Sequence, residues 1–255
     1  MPIVSDSSGA AGNIRVFQDP DALAQAAAEE FRRRAAASIQ ERGRFTVVLS
    51  GGSTPVRLFE KLAAGVPGKG EFSWSAVHLF WGDERPVPFS HPESNFGSAR
   101  AALLSRVEIG PANLHPVPLE GKDAAAAAIA YEKEIRSFFK LPEGRFPRFD
   151  LVFLGMGSDG HTASLFPGTP AVQESKRLVV APWLEKLGNF RITMTVPVFN
   201  QARCVIFLVA GAGKAVTVRK VLEEEDRPGR FPAGLIRPAS GELFWFLDRP
   251  AAGKI

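Results

Sequence analysis

Short apolar runs alternate along this chain with longer stretches that mix apolar and polar positions. Apolar side chains occupy nearly every position of four runs, at residues 45–49, 77–81, 151–154 and 204–209. Strands that are apolar on both faces are typical of a parallel sheet that helices cover on both sides. Further strands are predicted at residues 14–17, 177–181, 191–196 and 243–247.

The stretches between these runs predict helices. They lie at residues 19–40, 55–62, 93–104, 122–139 and 214–225. Asp19 or Asp21 is well placed to cap the first of them. Strands alternating with helices indicate an α/β fold with a mostly parallel central sheet flanked by helices. Because no change of composition resembles a linker, we predict a single domain over residues 13–255, preceded by a flexible tail at residues 1–12.

Composition narrows the class of protein. The chain has 255 residues and a formal net charge of +4, which is a mild excess of basic side chains. These side chains are dispersed, so we predict no nucleic-acid partner. The single cysteine, Cys204, excludes an internal disulfide and favours a cytoplasmic setting. No run approaches the roughly 20 apolar residues of a membrane span, so no membrane association is predicted.

The first candidate loop follows the strand at residues 45–49. In parallel sheets, ligands bind at the loops after the carboxyl ends of the strands. Small residues let backbone N–H groups approach an anion, and the N-terminus of a following helix adds partial positive charge. We therefore predict a phosphate-binding turn here, with an ordinary Gly-Ser turn as the alternative. Its residues are Ser50, Gly51, Gly52, Ser53 and Thr54.

The second candidate loop, Gly82-Asp83-Glu84-Arg85, follows the strand at residues 77–81. Arg85 can make bidentate contacts to a phosphate or a carboxylate. Asp83 and Glu84 can orient a base or a substrate hydroxyl. Taken alone, the segment is better interpreted as a solvated turn, but beside the other loops it indicates a polar site.

The third candidate loop carries a G-x-G-x-x-G motif at Gly155, Gly157 and Gly160. A dinucleotide-binding fold needs a long helix after the third glycine and an acidic residue about 20 positions later. Here Pro167 and Pro170 interrupt any helix, and the next predicted strand is not followed by an acid. The sequence around the motif therefore disfavours a nucleotide-dependent oxidoreductase.

His161 is the candidate general base of the same loop. It follows Asp159 and Gly160 on a tight turn at a strand end, and an imidazole titrates near neutral pH. We interpret the other histidines as structural. They are His78, His91 and His115.

Two further cations are candidates for anion binding. Arg191 begins a predicted strand, and Lys214 lies in a glycine-rich turn before a predicted helix. Lys214 is the better candidate because of the helix N-terminus that follows it. The histidines and Cys204 lack the spacing of a metal site, and the chain has neither a P-loop nor a G-x-S-x-G elbow.

Together these segments resemble the 6-phosphogluconolactonase family. The matching stretches are residues 49–55, 81–85 with 87–88 and 94–95, 150–168, 191–195 and 211–215. The resemblance implies a modified Rossmann-like fold, similar to glucosamine-6-phosphate deaminases, ribose-5-phosphate isomerases and CoA transferases. It also implies hydrolysis of 6-phospho-D-glucono-1,5-lactone to 6-phosphogluconate, the second step of the oxidative pentose phosphate pathway, with no cofactor.

The resemblance also implies a role for each matching residue. His161 would be the general base, with Asp159 or Asp83 orienting its ring. The turn at residues 50–54 would form the anion-binding pocket with three cations, and which cation binds the phosphate stays open at this stage. These cations are Arg85, Arg191 and Lys214. We expect a monomer or a weak homodimer.

Two other functions are weighed against a lactonase. A related amino-sugar phosphate deaminase or isomerase would carry a glutamate five residues after the histidine, where this chain has Phe166. A non-catalytic sugar-phosphate sensor could keep the anion-binding loops, but such proteins usually carry a DNA-binding module, and we expect none here.

Overall fold

A computed structural model describes the backbone of Ile3–Ser5 and residues 12–65, 72–223 and 231–255. The described strands are β1 (Ile3–Ser5), β2 (Asn13–Phe17), β3 (Phe45–Leu49), β4 (Val77–Trp81), β5 (Asp83–Glu84), β6 (Leu114–His115), β7 (Leu151–Leu154), β8 (Val179–Val180), β9 (Trp183–Leu184), β10 (Asn189–Phe190), β11 (Ile192–Met194), β12 (Cys204–Val209) and β13 (Glu242–Asp248). The described helices are α1 (Pro20–Arg42), α2 (Ser53–Ala63), α3 (Asn95–Ala102), α4 (Ala124–Phe139), α5 (Val196–Asn200), α6 (Ala215–Glu223) and α7 (Arg249–Ala252).

The main sheet has eight strands in the order β1-β2-β13-β12-β7-β3-β4-β6. All neighbours in it are parallel except β1, which runs antiparallel to β2. Alternate residues of β12 point into separate cores: Val205 and Phe207 pack towards α4 and α6, whereas Ile206 and Leu208 pack towards α1 and α2. The predicted α/β fold, a mostly parallel sheet between two helical layers, is therefore confirmed.

Helix α1 shows how the pattern of the chain determines an element. Asp19 caps the helix by accepting the N–H of Ala22 at 2.8 Å, and Gly43 ends it in the left-handed conformation with φ +73°. Leu23 and Phe31, eight residues apart, lie on one helical face and are fully buried against the sheet. Asp19, rather than Asp21, is thus the cap.

Two predicted strands do not join the main sheet. Those at residues 177–181 and 191–196 shorten to β8 and β11, which form a small antiparallel sheet with β5. Strand β11 stops at Met194 because helix α5 begins two residues later, with Pro197 in its first turn. This small sheet places Arg191 near the loop that follows β4.

Two boundaries stay predictions. Within the predicted tail, the structure describes only Ile3–Ser5, which pair with β2, and residue 12. Helix α6 is described as far as Glu223, so its predicted end at residue 225 lies outside the described residues. None of the helices described is long and apolar enough to cross a membrane.

The order of the strands brings the candidate loops together. From β3 the chain proceeds through β4 and β6 to one edge of the sheet, whereas β7, β12 and β13 lie on the other side of β3. Strands β3 and β7 therefore flank the point at which the strand order reverses, and ligands of open α/β sheets bind there. The loops after β3, β4, β7 and β12 all lie at the carboxyl ends of these parallel strands.

Candidate active site

A cavity of about 310 Å³ opens at the carboxyl ends of the central strands. It brings together residues that are far apart in sequence, including almost all of the predicted site. The residues that line it are Ser50, Gly51, Gly52, Ser53, Thr54, Pro55, Asp83, Arg85, Asn95, Gly155, Met156, Gly157, His161, Ala163, Leu208 and Lys214. Among the predicted site residues, Asp159 and Arg191 lie outside this lining.

The turn after β3 presents the N-terminus of α2 to the cavity. Gly52 precedes the helix with φ +105°, and no described side chain caps the first turn. Its N–H groups are therefore free of a side-chain cap and can bind an anion. The hydroxyl of Ser50 donates to the carbonyl of Phe153 at 2.7 Å, so the contribution of Ser50 to the cavity is its backbone.

Asn95 packs directly against this turn. A Cβ atom on Gly51 would lie 1.7 Å from Asn95 Oδ1, so only glycine allows the carboxamide to approach so closely. Asn95 Nδ2 donates to the backbone carbonyl of Asp83 at 2.8 Å and to its carboxylate at 3.2 Å. The other carboxylate oxygen of Asp83 accepts the hydroxyl of Ser164 at 2.7 Å. Asp83 therefore joins three loops of the site and makes no hydrogen bond to His161.

Glu84 explains why Asn95 reaches the cavity. Its fully buried carboxylate accepts the N–H groups of Arg85, Asn95 and Phe96, each at 2.8 Å. Burial raises the pKa of Glu84, although these backbone hydrogen bonds partly oppose the shift. Glu84 thus anchors the first turn of α3 beside β5, which is a positioning role rather than a contact with a ligand.

His161 and Asp159 form a hydrogen-bonded pair. Nδ1 of the ring lies 2.5 Å from Asp159 Oδ1, and the same oxygen accepts the His161 backbone N–H at 3.2 Å. Burial raises the pKa of Asp159, but the hydrogen bonds and charge of His161 outweigh it, and the pKa lies below its usual value. An ionised Asp159 holds the proton on Nδ1, which leaves Nε2 as the unprotonated nitrogen of the neutral ring.

The surroundings of the ring fix its plane. Phe166 stacks on His161 with 4.1 Å between ring centroids and 18° between ring planes. On the loop itself, a Cβ atom at Gly157 would lie 2.2 Å from Nδ1 of the ring. Gly157 is therefore required so that the imidazole can lie against its own turn.

Lys214 and Arg85 supply positive charge to the cavity. Burial lowers the pKa of Lys214, and the negative charge of Asp248 opposes this shift. Arg85 is held by a hydrogen bond from Nη1 to the carbonyl of Glu93. Arg191 does not line the cavity; it directly precedes β11, whose Ile192 pairs with Glu84, and burial and the neighbouring charge of Arg85 lower its pKa. Two of the three predicted cations thus reach the cavity directly.

A larger groove of about 1270 Å³ touches Asp159 and Phe166, the two neighbours of His161. It lies between α4, the segment at residues 166–171 and the β9–β10 hairpin, and its surface is mainly apolar. Two of its arginines are paired with glutamates on their own segments, Arg136 with Glu132 and Arg177 with Glu174. The smaller cavity, which holds His161 and the uncapped helix N-terminus, is therefore the better candidate for an anionic substrate.

The remaining histidines lie away from the cavity lining. His78 and His115 are 3.2 Å apart between ring nitrogens, and His115 also contacts Glu134 at 2.8 Å. His91 is exposed and accepts the backbone N–H of Glu93 at 3.2 Å. Within the described residues, no group of three or more His, Cys, Asp or Glu side chains is arranged to hold a metal ion.

Sequence reasoning missed several members of the site. Asn95 was noted only as part of a matching stretch, although its position at a predicted helix start was a usable signal. Ser164 and the stacking role of Phe166 depend on how a loop folds back, and neither has a local signature. Glu84 was grouped with Asp83, but two of its three backbone partners, Asn95 and Phe96, lie 11 and 12 residues further along the chain.

Comparisons with known proteins agree with this geometry. The family model described as glucosamine-6-phosphate isomerases/6-phosphogluconolactonase matches residues 18–245. A 6-phosphogluconolactonase of Synechocystis sp. is 45% identical over 218 residues, covering 86% of this chain and 88% of the relative. The solved structure of a 6-phosphogluconolactonase from Trypanosoma cruzi superposes with a TM-score of 0.83 at 31% identity, covering 95% of this chain and 96% of the other.

A more distant solved structure extends the likeness at the level of fold. A monomeric glucosamine-6-phosphate deaminase has a TM-score of 0.78 at 21% identity, covering 95% of this chain and 99% of the other. The same arrangement of sheet and helices therefore occurs in a glucosamine-6-phosphate deaminase. By sequence and by structure, this chain belongs to the glucosamine-6-phosphate isomerase/6-phosphogluconolactonase family.

Proposed function

We propose that this chain hydrolyses 6-phospho-D-glucono-1,5-lactone to 6-phospho-D-gluconate, the second step of the oxidative pentose phosphate pathway. One observation carries the proposal: a histidine paired with a carboxylate lines the same cavity as an uncapped helix N-terminus and a lysine. Similarity to lactonases along nearly the whole chain supports it. The enzyme is then a carboxylic ester hydrolase.

His161 acts as the general base in this proposal. Its neutral Nε2 accepts a proton from a water molecule as the water attacks C1 of the lactone. The Nδ1 proton stays on the ring, held by Asp159, which stabilises the positive charge that forms. The imidazolium can then protonate the ring oxygen as the C1–O bond breaks. One proton is taken from water and one is returned, so His161 ends the cycle neutral.

The negative charge that develops on the C1 oxygen needs positively polarised partners. Arg85 and the backbone N–H groups of the surrounding loops are the candidates for this role, because they line the cavity with His161. Asp83 contributes by holding Asn95 and Ser164 in place. We assign the phosphate to the N-terminal turn of α2 and Lys214, and Arg191 adds positive charge near Arg85.

The phosphate serves to orient the substrate. A doubly charged group bound at the α2 turn and Lys214 holds C1 near His161, and the binding energy of this remote group supports catalysis at C1. This division of labour requires no cofactor. We further propose a cytoplasmic setting, no nucleic-acid or membrane partner, and a monomer or weak homodimer.

The main alternative is the deaminase or isomerase activity that the same family includes. The related amino-sugar phosphate enzymes would carry a glutamate for ring opening five residues after the histidine, and here that position holds Phe166, which stacks on His161. A lactone reacts with water directly at its ester carbonyl, so no acid is needed to open a sugar ring beforehand. The apolar stacking partner therefore favours the lactonase.

A comparison of two lactones tests the proposal. In a pH-stat assay, kcat/KM for the phosphorylated lactone should exceed that for gluconolactone at least about 10²-fold, because only the former binds the α2 turn and Lys214. Lys214→Ala should reduce this preference about 10-fold or more, whereas Lys220→Ala, on the helix that follows Lys214 but outside the cavity lining, should keep it. Equal efficiency on both lactones, or release of ammonia from glucosamine-6-phosphate, would contradict the proposal.

A further inference from the structure

Asp248 is a buried carboxylate beside the Lys214 turn. It is the last residue of β13, and only 1% of its surface is exposed. Its two oxygens accept the N–H of Gly211 at 3.0 and 3.1 Å, and Oδ1 accepts the N–H of Ala251 at 2.8 Å. A carboxylate is costly to bury unless such partners compensate it. Asp248 therefore ties the loop after β12 to the end of β13 and the start of α7.

The residue that Asp248 holds is the one that starts the Lys214 turn. Gly211 has φ +102°, in the left-handed region that favours glycine, and its carbonyl accepts the N–H of Lys214 at 3.1 Å. Two successive hydrogen bonds thus connect the Asp248 carboxylate to the backbone of Lys214. A shift of Asp248 would move Gly211 and, with it, the base of the lysine side chain.

Charge links the same two residues. Asp248 makes no ion pair within 4 Å in the described part of the chain, and burial lowers the pKa of Lys214 against the opposing negative charge of Asp248. The other ionisable groups of the cavity and of the two helices beside the turn are Asp83, Arg85 and His161 in the cavity, Arg219, Lys220 and Glu223 on α6, and Arg249 on α7. Of these, the other anions are Asp83, which is hydrogen-bonded to Asn95 and Ser164, and Glu223, which is paired with Arg219.

We propose that Asp248 is a positioning residue of the phosphate site, which fixes the Gly211–Lys214 turn and keeps a buried carboxylate beside it. It contacts neither the substrate nor the reacting atoms in this role. The inference rests on the proposed phosphate-binding role of Lys214.

The test replaces Asp248 by asparagine, which keeps the shape and a hydrogen-bond acceptor but removes the charge. Asp150→Asn is the matched control. Asp150 is also buried, and it accepts the Thr46 N–H at 2.8 Å. It directly precedes β7, at the amino end of the strand, and so lies away from the cavity. Both variants lose a buried carboxylate, so a purely structural effect should appear in both. If Asp248→Asn does not fold, Asp248→Ser provides a second uncharged residue able to cap α7.

The measurement is the affinity for inorganic phosphate by calorimetry between pH 7.5 and 10. For Asp248→Asn we expect the affinity for phosphate to fall about 10-fold. As the pH is raised, this variant should also lose phosphate binding at a lower pH than the wild type, because Lys214 gives up its proton more readily. KM for the phosphorylated lactone should rise similarly, with kcat within about two-fold. In a Lys214→Ala background, Asp248→Asn should change phosphate affinity little, since the two residues act together.

Wild-type phosphate affinity in Asp248→Asn would overturn the proposal, and so would an equal loss in Asp150→Asn. An undiminished effect of Asp248→Asn in the Lys214→Ala background would overturn it as well. Because phosphate binding is measured without turnover, a failed lactone assay would count against the proposed function and leave this result unaffected.

Discussion

Replacing His161 by alanine is expected to lower kcat by about 10²–10⁴ while phosphate affinity stays close to that of the wild type. The imidazole is the group assigned to accept the proton of the attacking water, and its Nδ1 is already engaged by Asp159. The α2 turn and Lys214, which bind the phosphate in our proposal, belong to other loops. The measurement is steady-state hydrolysis of the phosphorylated lactone, corrected for its spontaneous opening in the same buffer.

Two controls separate loss of the base from loss of the fold. His91→Ala removes an exposed histidine outside the cavity lining and should change kcat by no more than about two-fold. Added imidazole should restore part of the activity of His161→Ala by entering the space that the ring leaves. Near-normal turnover in a folded His161→Ala variant would show that another group activates the water.

Asp159→Asn is expected to lower kcat by about 10²–10³ with little change in KM. The carboxylate accepts a hydrogen bond from Nδ1–H, with 2.5 Å between Nδ1 and Oδ1, and its hydrogen bonds and nearby charge hold its pKa below the usual value, so it is ionised at neutral pH. An asparagine at this position can donate an N–H to Nδ1. The ring proton would then sit on Nε2, which could no longer act as a base.

Variants of neighbouring residues make this second expectation specific. Ser158→Ala, at the adjacent exposed position, should leave kcat nearly unchanged. Asp83→Asn should act mainly on substrate binding and stability, because Asp83 holds Asn95 and Ser164 rather than the imidazole. If Asp83→Asn lowered kcat with unchanged KM while Asp159→Asn retained activity, Asp83 would be the residue that orients His161.

The central strands could be predicted from the sequence to the residue. Strands β3, β4, β7 and β12 coincide with the four apolar runs, because a strand buried on both faces needs apolar side chains at nearly every position. The loops that follow them were recognisable as sites for the same reason: polar and glycine residues begin abruptly where each run ends. This abrupt change from apolar to polar residues was enough to place His161, Arg85 and Lys214 at the carboxyl ends of the central strands.

Contacts between residues far apart in the chain could not be predicted from the pattern of apolar and polar residues. Strands β5, β8 and β11 have two or three residues each, so their pairing depends on tertiary contacts rather than on any periodicity. Arg191 lies beside the Glu84–Arg85 segment, outside the cavity lining, because of that pairing. Likewise, Asn95 enters the site because Glu84 anchors α3, and no pattern within either segment indicates this hydrogen bond.

The most direct measurement is a crystal structure of the wild-type protein with its expected product, 6-phosphogluconate. The expected result is a phosphate bound at the Ser50–Thr54 turn and Lys214, with the C1 carboxylate about 3 Å from His161 Nε2. A phosphate bound instead in the larger groove beside α4, or a C1 carboxylate beyond hydrogen-bond distance of the imidazole while the phosphate sits at the α2 turn, would contradict the proposed arrangement.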